Sequence, residues 1–545
     1  MGNEILYTNG HFYTMSKETP VVDSVYVKDG IIVSTGLEEN LSQLVSSKCE
    51  IIDLKGHTVL PGLCDCHGHL MYVGRSAQLL PLTDKTKEEI LQLVEEKCKE
   101  TPQGEWIQGI GWNQDLWEDS SFPTKEELDV VSPNHPVKLI RHCGNSYWCN
   151  SMALNIAGLT KPSEDTGIQG KELLLNEKGE LQGTLVGESC KRLDAAIPKH
   201  EGDKYEYFFA LSQDELLKNG YTSVMDKGAG IESPMDEEGA RACISAIHRM
   251  YQSQKMKIRI YEAPAGTDEY FDECFKDGPI VGMYDGKLTI RGIKLWDDGA
   301  FGPRTASLST DYRNMPGHRG NQKLKDDLLI ELLKKVDSLG LQAAVHSIGN
   351  ASTKHILKCY EAAFSDSEDK DRRFIMEHFP IPDEEDMRMV LDNNIIVSVQ
   401  FSQFSSDMDS LGSILPDELL TNIYPWREIL DRGGIICNGS DAPIDPVNPF
   451  PAMYIAVSRK SLSGKNLYEK DFSRALTRTE ALEAYTTSAA YAKFEEKVSG
   501  SIEPGKYADF TVIDRDYFEC PVEEIRDITV LETIIAGESA YKKRV

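Results

Sequence analysis

Five side chains in this sequence are of the types that hold a divalent cation. They are His67 and His69 in His67-Gly68-His69, then His346, His378 and Asp441. Imidazole nitrogen and carboxylate oxygen are the usual donors for Zn²⁺ and similar ions. Side chains alternate along an extended segment, so a His-x-His pair presents both imidazoles on one face. Each of these residues stands where a short apolar run ends, and Lys294 closes a further run in the same way. The chemistry expected of such a set is hydrolysis: a bound divalent ion acidifies water, which then attacks a carbonyl-type carbon. Asp441 is expected to act as the catalytic group, taking the water's proton and passing it to a leaving nitrogen. Arg304 is the candidate to grip a substrate carboxylate through paired N–H groups, and Trp112, Trp148 and Trp296 are candidate pocket walls. Of the remaining histidines, His11, His57, His135, His142, His200, His248 and His355 fall in loops, hairpins or helix faces without partners at ligand spacing, while His318, in a Pro-Gly-His-Arg-Gly loop after the fourth strand, is either within reach of the pocket or a solvated loop residue.

Residues this far apart in the chain need a scaffold that gathers strand ends. Helical stretches ending at Gly or Asn are followed by continuous apolar runs: Tyr221 to Met225, Leu341 to Val345, Ile395 to Val399, Ile435 to Cys437. Gly and Asn take the left-handed backbone that closes a helix, and uninterrupted apolar strands fit a parallel sheet covered on both faces. Ile258 to Tyr261, Ile290 to Leu295, Phe374 to Met376 and the run into His67 complete eight strands. That count predicts an α/β fold, a (β/α)₈ TIM barrel over residues 59–499, whose strand C-termini converge on one site. The long interval after the first strand predicts a cap insertion at about 72–205. Both ends of the chain read as β-structure and predict a small β-sandwich domain built from 1–58 and 500–545. Two hairpins are expected within it, one turning at Asn9-Gly10 and one at Asp29-Gly30.

Bulk composition limits the partners. The chain has 545 residues, with 59 Lys and Arg against 88 Asp and Glu, a formal net charge of −29. Such a chain repels phosphate backbones and anionic lipid, so a small-molecule substrate is expected, with no nucleic acid and no membrane. No stretch approaches the roughly 18 apolar residues of a membrane span. The 12 cysteines are scattered without Cys-x-x-Cys spacing. Cys64 and Cys66 read as small strand residues rather than ligands. No basic segment followed by an apolar run opens the chain, and a reducing cytoplasm is the expected location. A homodimer is expected from base rates.

The motifs carry a resemblance. Pro61-Gly62-Leu63-Cys64-Asp65-Cys66-His67-Gly68-His69 is similar to the Pro-Gly-x-x-Asp-x-His-x-His strand of the amidohydrolase superfamily. Trp106 to Trp112, Ile293 to Gly299, Gly302 to Ala306, Val345 to Gly349, Glu377-His378, Gly439 to Pro443 and Gly500 to Asp509 continue the likeness nearly end to end. Within that superfamily the chain resembles the amidohydrolase-3 group of metal-dependent hydrolases. The resemblance implies a hydrolase of carbon–nitrogen bonds other than peptide bonds, acting on an amide, formamide or cyclic amide. It implies one metal on His67, His69 and Asp441 and a second on His346 and His378, with zinc as the default ion. Lys294 matches the lysine that the family carboxylates to bridge two metals; the alternative is a lysine ion-paired with Asp297 or Asp298 beside a single metal. Two positions depart from the pattern: Asn350 stands where relatives have Asp, and Asn145, expected to contact substrate, stands where they often have His. A deaminase- or isomerase-type enzyme on the same ligands, or a metal-free regulatory protein, are the competing readings.

Overall fold

The computed structural model describes residues 3–160, 173–176, 179–198, 203–228, 237–265, 275–367, 371–408, 410–463 and 471–544. Its centre is a set of eight strands: β1 (Leu63–Gly68), β2 (Tyr221–Lys227), β3 (Arg259–Ala263), β4 (Gly292–Trp296), β5 (Gln342–Ser347), β6 (Ile375–His378), β7 (Ile396–Val399) and β8 (Ile436–Asn438). β1, β2 and β3 pair in parallel, and β4 through β8 pair in parallel in chain order. A parallel bridge between Ala265 and Lys294 links the two sets. At the other side, Asp441 N donates to the carbonyl of His67 (2.6 Å), which brings the end of β8 against β1. The helices between strands are amphipathic. Asp326–Ser338, for example, buries Leu329, Leu332, Leu333 and Val336, the i, i+3, i+4, i+7 stripe that a helix lays on a sheet. This strand–helix alternation is a TIM-barrel-type α/β fold.

The chain ends form two sheets that share one apolar cluster. Residues 31–36, 24–28, 4–8 and 50–53 make a four-stranded sheet; 538–542, 530–535, 510–513, 58–61, 11–13 and 21–22 make a six-stranded one. Ile5, Tyr7, Val25, Phe12, Val59, Phe510 and Val512 lie together between them. The Asp29-Gly30 hairpin is present, with Ser24–Lys28 antiparallel to Ile31–Gly36. The Asn9-Gly10 hairpin is not. Glu4–Thr8 pairs with Ser24–Lys28 and Glu50–Asp53, whereas His11–Tyr13 pairs with Val21–Val22 and Thr58–Pro61. Asn9, at φ +50°, is a corner between sheets. Turning there lets Tyr7 and Phe12 each meet the ring of Phe510 edge-on, at 5.6 and 5.9 Å. Burying both aromatics outweighs a purely local pairing.

Between β1 and β2 the chain builds a six-stranded sheet that includes Ile107–Trp112, Val137–Arg141, Ser146–Cys149 and Leu181–Val186. It has apolar clusters of its own, one around Trp112, Trp117 and Trp148 and one around Ile140, Tyr147 and Leu185. Among the described residues, no helix is long and apolar enough to cross a membrane.

Candidate metal centre

The strand ends deliver the expected side chains to one place. The rings of His69 and His67 are 5.3 Å apart, those of His67 and His378 5.0 Å, and those of His378 and His346 4.5 Å. Ligand atoms of His67, His378 and Asp441 all fall within 4.8 Å of one another, and all three residues are buried. His69 Nε2 lies 3.0 Å from Asp441 Oδ1 and His67 Nε2 3.5 Å from the same oxygen. Lys294 Nζ sits 3.3 Å from His67 Nε2.

Hydrogen bonds fix which imidazole nitrogen is left as a donor atom. His67 Nδ1 is 2.6 Å from Glu377 Oε2, a carboxylate oxygen that can only accept, so the proton belongs on Nδ1 and the lone pair on Nε2. His378 Nδ1 meets Gln400 Oε1 at 2.6 Å, which likewise leaves its Nε2 free. His346 turns Nε2 to the carbonyl of Gly299 at 2.9 Å and leaves Nδ1. Burial holds the His67 imidazole down to about 3, and lowers His346 and His378 as well. These rings are therefore neutral at pH 7, the form that coordinates a cation. Burial alone would raise the Asp441 carboxyl, but its setting beside His67 and His69 brings it below the usual carboxylate range. Neutral imidazole lone pairs grouped around a buried carboxylate form a donor set that fits a divalent metal.

The backbone at these positions is unusual. His378 and Asp441 have φ of +76° and +57°, a region that side-chain-bearing residues seldom adopt and that gathers at functional sites. Asp65 holds the Asp441 turn: Ser440 donates to it through its backbone N (2.8 Å) and Oγ (2.5 Å). Gln403, on the helix Phe401–Met408, donates to Asp441 Oδ2 at 3.0 Å. Asp298 ties the loop after β4 to the end of β5, accepting from the backbone N–H of Ser307, Ile348 and Gly349.

Lys294 is 1% exposed, and burial brings its ammonium down to about 8. It pairs with neither Asp297 nor Asp298. Asp297 is taken by His355 Nδ1 at 3.0 Å, and Asp298 by the three backbone donors. Asn145 reaches the loop after β4, donating to Thr305 Oγ1 at 3.0 Å. Arg304 lies on that loop and bonds its own neighbour, the Gly302 carbonyl. Trp112 is not at the site. It is fully buried in the insertion, stacked 6.0 Å from Trp117, with its indole N–H on the Leu139 carbonyl at 2.8 Å. Trp148 is buried beside it. Of the three tryptophans only Trp296 adjoins the centre, with Lys294 Nζ 5.5 Å from its ring centre. Asn350 braces Ser309 (2.8 and 3.0 Å) and touches no ligand. His318 stacks on Tyr312. Cys64 and Cys66 pack with Cys437 in a separate apolar cluster. His200 falls outside the described residues.

Lys227 and Gln400, near the centre, escaped the sequence reading, and Glu377 and Asp65 entered it only as motif residues without a role. Gln400 stands where an apolar run ends, and the same strand-end rule would have found it; Lys227 is one residue further on, after Asp226.

Residues 50–541 match the amidohydrolase family, and the chain belongs to it. Protein LONG AFTER FAR-RED 3 of Arabidopsis thaliana is 28% identical to it over 99% of this chain and 91% of its own length. N-substituted formamide deformylase of Arthrobacter pascens is 26% identical over 99% of this chain and 98% of its own. The crystal structure of an uncharacterized metal-dependent hydrolase from Pyrococcus horikoshii has a TM-score of 0.77 at 26% identity, covering 96% of this chain and 99% of that one. The family and this likeness identify the chain as a hydrolase.

Proposed function

We propose that the protein is a metal-dependent amidohydrolase that cleaves the carbon–nitrogen bond of an amide, formamide or cyclic amide in a small molecule. The observation that carries this reading is the convergence of His67, His378 and Asp441 within 4.8 Å, with His69, His346 and Lys294 around them. These six residues would hold one or two divalent ions, zinc by donor type, with Lys294 carboxylated where two are bound. A divalent ion there supplies a Lewis acid for the carbonyl and lowers the pKa of water from about 15.7 to roughly 7. The protein's own part is positioning and proton transfer. Glu377 and Gln400 hold the imidazoles of His67 and His378. Asp441, with Oδ1 beside His69 and Oδ2 held by Gln403, accepts the water's proton and returns it to the departing nitrogen. Arg304 and Asn145, on and against the loop after β4, are the substrate contacts. Lys294 supports its assigned role in one respect: buried, with its ammonium brought down to about 8, it reaches the free-amine form that CO₂ requires more readily than a surface lysine.

In this reading the eight strands form a closed barrel over residues 59–499, capped by the insertion at about 72–205, and residues 1–58 with 500–545 form a β-sandwich. The enzyme works in the cytoplasm as a homodimer on a free small molecule, without nucleic acid or membrane. The test is elemental analysis of the purified protein, followed by amine release from a panel of N-formyl and N-acyl amines. Chelation should abolish activity and zinc restore it. Asp441→Asn should lower kcat by about 10²–10⁴ in protein that stays folded. Protein that takes up no ion under any loading, or an Asp441→Asn variant of unchanged rate, would refute it.

A further inference from the structure

One buried cation at the centre has no part in the chemistry above. Lys227, the last residue of β2, is 0% exposed, and its Nζ lies 3.0 Å from Glu377 Oε1. Glu377, on β6, is also 0% exposed and gives its other oxygen, Oε2, to His67 Nδ1 at 2.6 Å. Three different strands thus contribute a line of fully buried groups, ammonium to carboxylate to imidazole, ending at the His67 nitrogen that faces Asp441. We infer that Lys227 is a positioning residue, which anchors Glu377 so that the carboxylate fixes the tautomer and direction of His67 toward the metal.

The reasoning is one of charge and of competition. A carboxylate buried without water persists as an anion only beside a cation, and an anionic Glu377 is what makes Nδ1 of His67 the protonated nitrogen. Lys294 is the other buried ammonium nearby, yet its close contact is His67 Nε2 at 3.3 Å. Among the described residues it makes no ion pair. Lys227 faces Oε1 as the ion-pair partner of Glu377, 3.0 Å away and without a hydrogen bond between them, while Lys294 lies at the ligand side of the same imidazole. Gln400 does the same for the neighbouring ring: its Oε1 accepts from His378 Nδ1 at 2.6 Å. Carboxylates that orient ligand imidazoles in this way typically change metal affinity 10–100-fold when removed.

This inference rests on the proposed metal centre, and its test separates the two. Wild type, Lys227→Met, Glu377→Gln and the double variant are stripped of metal. Zinc affinity is then measured by competition with a chromophoric chelator, and ¹⁵N spectra of the metal-free, histidine-labelled proteins report the imidazole tautomers. Wild type should show His67 protonated on Nδ1. Each single variant should bind zinc about 10–100-fold more weakly and lose that single tautomer. The double variant, whose buried charges balance, should bind within about threefold of Glu377→Gln, because Lys227 acts only through Glu377. Should Lys227→Met fail to fold, the comparison of Glu377→Gln with the double variant still decides. A double variant much weaker than Glu377→Gln, or singles that match wild type in affinity and tautomer, would overturn the inference. A wild type that takes up no zinc would sink the proposed function instead, and the tautomer spectra would still judge Lys227.

Discussion

Replacing Gly439 by alanine should disable the centre without changing the identity of any residue in it. Gly439 follows β8, and a Cβ built on it would lie 2.2 Å from the backbone N of His67, 2.4 Å from its Cβ and 2.6 Å from its Cα. Non-bonded carbon contacts settle near 3.5 Å, so the end of β8 and the end of β1 would have to part by about 1 Å. The obstructing atoms are backbone and the stem of a ligand, so no flexible tip can swing away. The same separation pulls on the bond from Asp441 N to the His67 carbonyl (2.6 Å) and on the hold of Asp65 on Ser440. Overpacking of this kind costs about 1–3 kcal/mol of stability, and a 1 Å displacement of catalytic groups costs about 10² in rate. The assay pairs thermal melting with kcat/KM and zinc stoichiometry on Gly439→Ala. The expected result is a folded protein with a lower midpoint and kcat/KM reduced about a hundredfold. Activity within about threefold of wild type with an unchanged midpoint would show that β1 and β8 are not held as tightly as the contact implies.

Trp112→Phe should lower the melting temperature, because the buried indole N–H bond to Leu139 is lost, while KM moves by less than about twofold; a large KM change would return Trp112 to the pocket. Glu480 caps the helix Arg478–Glu483 through Thr477 and pairs with Arg427 Nη1 at 2.8 Å. Arg427 and the cap donors hold its carboxyl down to about 2. A carboxylate depressed in the folded state stabilises above its ordinary value of 4.5 and loses that contribution as pH falls toward 2. Glu480→Gln should therefore melt about 1–2 °C lower than wild type at pH 7, with the gap narrowing between pH 4.5 and 2. A gap that does not change with pH would refute the ion-pair origin.

The grouping of these side chains was legible in the sequence because each carries two signals at once, a donor-type side chain and a position at the end of an apolar run. Asp441 and His346 read clearly for that reason. Glu377 stood inside a recognised motif but was masked by the histidine beside it, and Lys227 by the apolar run Tyr221 to Met225, beyond which the strand continues through Asp226 and Lys227, both buried polar groups. Trp112 misled because an aromatic residue in an insertion has no periodic context to say whether it faces a cavity or its own core. The Asn9-Gly10 corner misled because turn chemistry is local, whereas the choice between two sheets is made by Phe510, far along the chain.

The strand Thr58–Pro61, which runs straight on toward His67, is flanked by Phe510–Ile513 on one edge and His11–Phe12 on the other. Its partner emerges from the ribosome about 450 positions later. In a nascent chain, Thr58–Pro61 therefore gains the second of its two sheet neighbours only after synthesis has passed Ile513. A truncation that reaches back through Phe510 would strip one edge from the strand that leads into His67.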